Sequence, residues 1–76
     1  MPKGDVHVVY RSGEKKWAVE VEGRLKASSL HETKDPAEKA GRATAQQNRA
    51  ELLIHTRDGK IEERNTYKRD PHPPPG

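Results

Sequence analysis

The chain has 76 residues, 36% charged and 29% hydrophobic, with a formal net charge of +3, a pI near 9.4 and a mean hydropathy of −1.22. This length allows one domain with a thin core. The absence of cysteine excludes disulfides, thiolate metal sites and a cysteine nucleophile.

The first residues, MPKGDVHVVY, lack the apolar centre of a signal peptide. Residues 1–4 are expected to be disordered, with one folded domain over 5–67. Residues 6–10, VHVVY, are rich in β-branched and aromatic side chains and predict the first strand. RSGEKK reads as a turn. In WAVEV, Trp17, Val19 and Val21 alternate with Ala18 and Glu20, the period of a half-buried strand. Together the two segments predict a hairpin, and Glu22-Gly23 a second turn. LKASSLH, residues 25–31, is a weaker third strand with little to fill a core.

TKDPAEKAGRATAQQNR carries a helix signal. Asp35 suits the N-cap, Pro36 the first helical position, and Glu38 completes a D-x-x-E capping box. Ala37, Ala40, Gly41, Thr44 and Asn48 gather on one side of the helix. Glu38, Lys39, Arg42, Gln46 and Arg49 gather on the other. The inward side is made of small residues, so the sheet must supply bulk from Trp17, the valines, Leu52 and Ile54.

ELLIHTR and KIEERNTY flank Asp58-Gly59, which suits a two-residue type I′ turn. Such a turn pairs His55 with Glu62 and Leu53 with Arg64, and places Leu52, Ile54 and Ile61 on the core face. Continuing that parity would turn Glu63 and Asn65 inward, so a bulge or a departure from the core is expected near 63–65. The last nine residues, 68–76, form a Pro-rich arm: four of the final six are proline, which keeps them out of a sheet interior. The expected order is β-β-β-α-β-β, an α+β fold with a mainly antiparallel sheet and one Ala-rich helix on one face. The longest aliphatic run, Leu52-Leu53-Ile54, is far short of the roughly 20 residues of a spanning helix. A soluble, cytoplasmic domain is therefore expected.

The segments VHVV, WAVEVEG, SSLHET before an Ala-rich helix, LLIHTRDGKIEERNTY and DPHPPPG resemble a small bacterial family, domain of unknown function 2188. The likeness rests most on His55, Arg57, Asp58, Gly59, Lys60 and Ile61, and on Asp70, Pro71, Pro73 and Pro74. Lys15-Lys16-Trp17 departs from the Gly-Trp associated with the family. The resemblance implies a compact β-rich domain with one helix, in bacteria or their phages. It brings no activity, ligand or catalytic residue.

No sequence pattern identifies a reaction. There is no G-x-S-x-G elbow and no glycine-rich loop before the helix to cradle phosphate. His55 opposite Glu62 is better read as a cross-strand pair than as a catalytic base with its orienter. Four histidines, His7, His31, His55 and His72, show no H-x-x-x-H spacing, so neither a metal nor another cofactor is expected. His7 and His55 would share a face only if the first and fourth strands are neighbours. The reading is a non-enzymatic binding or accessory domain that contacts a protein or a second copy of itself. The alternative is nucleic-acid binding without sequence preference. Its candidate contacts are Arg57, Lys60, Arg64, Lys68 and Arg69 on the hairpin, Lys39, Arg42 and Arg49 on the helix, and Tyr67 for stacking. Interspersed Asp58, Glu62, Glu63 and Glu38 weigh against it.

Overall fold

The computed structural model describes residues 4–67. The elements are β1 (Val6–Arg11), β2 (Lys16–Val21), β3 (Ser29–His31), α1 (Lys34–Asn48), β4 (Glu51–His55) and β5 (Ile61–Thr66). The order is the expected one, and the weak third strand forms with three residues. They build one five-stranded sheet in the order β3-β2-β1-β4-β5. The expected Pro-rich arm and most of the expected N-terminal segment lie outside the described residues.

The sheet is mixed rather than wholly antiparallel. β1 pairs antiparallel with β2, β2 with β3 and β4 with β5, while β1 and β4 run parallel. The reason is α1: a helix inserted between β3 and β4 returns the chain across the sheet, so β4 runs in the direction of β1. The parallel registers Val6–Leu52 and Val8–Ile54 place the most apolar segments side by side at the centre.

Val6, Val8, Trp17, Val19, Val21, Leu52 and Ile54 face α1, which answers with Ala37, Gly41 and Ala45. The helix thus contributes small side chains and the sheet large ones, as its sequence predicts, with Ala45 completing the buried stripe. Lys34 lies over the Trp17 ring, 5.4 Å from its centroid, and pairs with Glu38 and Glu62. Tyr10 stacks obliquely on Trp17 and carries the Arg57 guanidinium 4.8 Å above its own ring.

Three local expectations are corrected. The helix begins at Lys34 with Thr33 as N-cap, and the Thr33 side chain makes no capping hydrogen bond. Asp35 and Pro36 therefore sit inside the first turn, where proline's missing N–H leaves no intrahelical bond unmade. The β4–β5 connection is longer than a two-residue turn. The Thr56 amide donates to the Lys60 carbonyl and the Gly59 amide to the Thr56 carbonyl. Only Gly59 takes a positive φ in this loop, +90°, which is the three-residue hairpin with glycine in the left-handed position. The register then slips: Leu53 faces Arg64 as expected, Ile54 faces Glu63, and His55 faces Ile61 rather than Glu62. The break falls at Glu62, one residue before the expected interval. It moves Ile61 off the core face, where it is 50% exposed.

The helix ends on Arg49 at φ 54°, ψ 52°, with the Arg49 amide bonded to the Gln46 carbonyl and the Ala50 amide to the Ala45 carbonyl. This paired pattern favours glycine at the left-handed position, because a Cβ there costs roughly 1 kcal/mol. Arg49→Gly should therefore stabilise the domain by about 0.5–1 kcal/mol after the added freedom of the unfolded chain is subtracted. A thermal melt should show the midpoint rising by roughly 2–8 °C. A fall would mean that the arginine side chain holds something the cap geometry does not reveal.

Candidate functional site

The sheet face opposite α1 carries the features that the core does not absorb. Strand alternation puts His7, Val9, Ala18, Glu20, Leu53 and His55 there. Registers align Leu30 with Ala18, Ala18 with Val9, and His55 with Ile61. Val9 and His55 follow the paired Val8 and Ile54 on the parallel strands. The row Leu30–Ala18–Val9–His55–Ile61 therefore crosses all five strands, a span of roughly 19 Å at normal strand spacing. Its two ends are exposed, Leu30 at 43% and Ile61 at 50%, on the two edge strands. Next to this row Leu53 is nearly buried.

A chain of polar side chains from β1, β4 and the turn after β2 meets the row at His55. The Glu22 carboxylate lies 2.8 Å from Nε2 of His7. Nδ1 of His7 lies 3.1 Å from Nε2 of His55, and the two rings are 5.3 Å apart. Nδ1 of His55 is 3.5 Å from the Gly59 carbonyl oxygen. Glu22 is placed by its own backbone: its amide donates to the Asp5 carbonyl, and Gly4 lies so close that a Cβ there would be 2.3 Å from the Glu22 carbonyl oxygen. A groove of about 200 Å³ adjoins the chain, lined among others by His7, Arg11, Glu20, Glu22, Arg24 and Lys26. Arg11 holds Glu20 at 2.7 Å and Glu14 at 3.2 Å, contacts that raise the Arg11 guanidinium above its ordinary value. The two histidines are 48 residues apart and share a face because β1 and β4 are neighbours, the condition expected for them to do so.

Residues 6–67 match the model of a family described as an uncharacterized protein conserved in bacteria, DUF2188. The chain belongs to this family. No curated protein and no solved structure matches it. DUF2188 membership confirms the resemblance carried by the β4–β5 hairpin and the segments before it, and it assigns no activity.

In this DUF2188 domain the basic residues singled out from the sequence do not converge. Arg64 lies on the helix-free face, 3.8 Å from Glu51. Arg42 lies on the other side of the sheet, on α1, reaching Glu63 at 3.5 Å. Lys39 is exposed on α1, and Arg49 is exposed at its C-terminal end. Arg57 and Lys60 are exposed in the hairpin loop, Arg57 over Tyr10. Tyr67 packs against the core cluster from the end of β5, partly buried, and Lys68 and Arg69 lie outside the described residues. The Tyr67 hydroxyl and then Glu63 raise the Arg42 guanidinium. Glu63 is held below the ordinary carboxylate range by the Asn65 amide first and Arg42 second. Residues 4–67 hold twelve Lys and Arg against eleven Asp and Glu, leaving +1 of the chain's +3. Among the described residues no helix is long and apolar enough to cross a membrane.

Proposed function

We propose that this domain is a non-enzymatic, cytoplasmic contact module that associates with a second copy of itself through the helix-free sheet face. The observation that carries the reading is the Leu30–Ala18–Val9–His55–Ile61 row, with its large apolar side chains exposed at both ends. A two-fold axis along β1 would lay the exposed Leu30 of one copy on the exposed Ile61 of the other. An isologous contact needs this self-complementarity. Burying its exposed ends would also add apolar contact to a core that 64 described residues keep thin. The near-neutral charge of the body and its scattered cations favour a protein surface over a phosphate backbone.

Sedimentation velocity on the full chain across a wide concentration range tests this. The expected result is a reversible dimer, with Leu30→Glu plus Ile61→Glu weakening association about tenfold or more, since each carboxylate would have to be desolvated in the contact. A chain that stays monomeric throughout overturns self-association. Retention of a nucleic-acid probe that is lost when Arg57, Lys60 and Arg64 become Glu would replace this reading with the nucleic-acid one.

A further inference from the structure

We infer, resting on the self-association contact proposed above, that Glu22, His7 and His55 form a proton switch that releases this contact once both imidazoles are charged. The protons and lone pairs along the chain can be counted. The Glu22 carboxylate lies 2.8 Å from Nε2 of His7 and can only accept, so that nitrogen carries a proton. Nδ1 of the neutral His7 ring is then bare, and Nε2 of His55, 3.1 Å away, donates to it. The remaining nitrogen, Nδ1 of His55, lies 3.5 Å from the Gly59 carbonyl oxygen.

Two protons can be added, and they are not equivalent. The first goes to Nδ1 of His55, where it faces the Gly59 carbonyl. Every N–H in the chain then still faces an acceptor, and the Glu22 carboxylate balances the new charge. The second has only Nδ1 of His7 left, the lone pair that receives the His55 proton. Filling it sets two N–H groups head to head and puts two cations on rings whose centroids are 5.3 Å apart, so the hydrogen bond between the rings is lost. Groups coupled in this way titrate in two macroscopic steps.

The charged groups around the pair decide what the second proton does to the contact. Glu20 stands opposite His7 on β2 but is held by Arg11 at 2.7 Å, and Lys16 lies beyond it, opposite Arg11. Asp5, before β1, accepts the Glu51 amide, and Glu51 of β4 lies beside Arg64 of β5. Arg57, Asp58 and Lys60 stand in the loop after His55. Arg24 and Lys26 line the groove beside Glu22; they offset its charge while the rings are neutral and add to the rings' charge when both are protonated. Among these described groups only Glu22 is within hydrogen-bond distance of a ring. A two-fold axis along β1 sets each β1 residue opposite its counterpart, so the His7 clusters of the two copies face each other. With both rings charged, each copy carries excess positive charge into the contact, and desolvation and repulsion both oppose association.

Imidazole changes charge between about pH 5 and 8, where ordinary carboxylates stay largely ionised. Sedimentation velocity of the full chain across that range tests the switch, with the ¹⁵N shifts of the imidazole rings followed alongside. One proton taken up by each copy on release raises the dimer Kd by as much as roughly 100-fold per pH unit, and a rise of at least about tenfold over the range is expected. His7→Gln and His55→Gln should each cut the change to about threefold or less, because a single ring beside Glu22 or Gly59 has no second proton to refuse. His31→Ala, whose ring bonds Ser29 instead, should leave it unchanged. The wild-type rings should titrate in two separate steps, His55 first, which decides the matter even where a variant fails to fold. A dimer whose affinity ignores pH, a dependence kept by His55→Gln, or rings that titrate together in one step overturns the switch and leaves the contact standing. A chain monomeric at every pH removes the contact and the switch with it.

Discussion

Leu52→Ala should cost about 2–5 kcal/mol, a large share of the roughly 3–10 kcal/mol available to a folded body of this size. Leu52 is fully buried on β4, paired in parallel with Val6 and with its side chain under Gly41 of α1. Its removal leaves a cavity that α1 cannot close, because Ala37, Gly41 and Ala45 are too short to reach into it. In urea the midpoint should fall steeply at an unchanged slope, the mark of lost stability rather than altered unfolding. Ile61→Ala is the matched control. Ile61 is half exposed on the opposite face, so it should cost well under about 1 kcal/mol. Equal losses at the two positions would mean that Ile61 remains a core residue and that the bulge at Glu62 is misplaced.

Why Ile61 deceives the sequence reader is a matter of turn chemistry. The alternation of WAVEV, the small stripe of the helix and the aliphatic run of β4 each repeat over several residues, so their faces are legible from period alone. The side on which Ile61 falls depends on a single residue of loop length. Asp58-Gly59 suits a two-residue turn, but only Gly59 adopts a positive φ, and the longer loop with its bulge inverts the parity at Ile61. Past the bulge, Glu63 and Asn65 do take the helix side, opposite Ile54 and Leu52. They lie on an edge strand, where the carboxylate can meet Arg42 and the Asn65 amide instead of the core.

The candidate site was less legible than the fold for a related reason. Parallel pairing of β1 with β4 is fixed by a crossover, and nothing local to either strand announces it. Only that pairing places His7 beside His55 and completes the apolar row from Leu30 to Ile61. The basic residues, by contrast, were visible as a list but not as a surface. The acidic residues between them along the chain reappear between them in space: Glu51 beside Arg64, Glu63 beside Arg42, and Glu62 beside Lys34.

The close approach of α1 leads to the second large effect, at Gly41. A Cβ on Gly41 would stand 2.8 Å from a Val8 methyl and 3.0 Å from a Leu52 methyl. Alanine there gains helix propensity of about 1 kcal/mol while forcing those methyls aside, two opposed terms of similar size. Leucine admits no such balance. Gly41→Leu should lose about 3 kcal/mol, because the added side chain must push α1 away from Val6, Val8 and Leu52 together. The same contact predicts a rescue. Combining Gly41→Leu with Leu52→Ala moves bulk from sheet to helix at nearly constant core volume. The double variant should therefore be more stable than the sum of the single losses predicts, by roughly 0.5–3 kcal/mol. Urea melts of the four proteins measure this coupling directly. Strict additivity would mean that the two side chains do not compete for one space, and that the small stripe of α1 is not what sets its distance from the sheet.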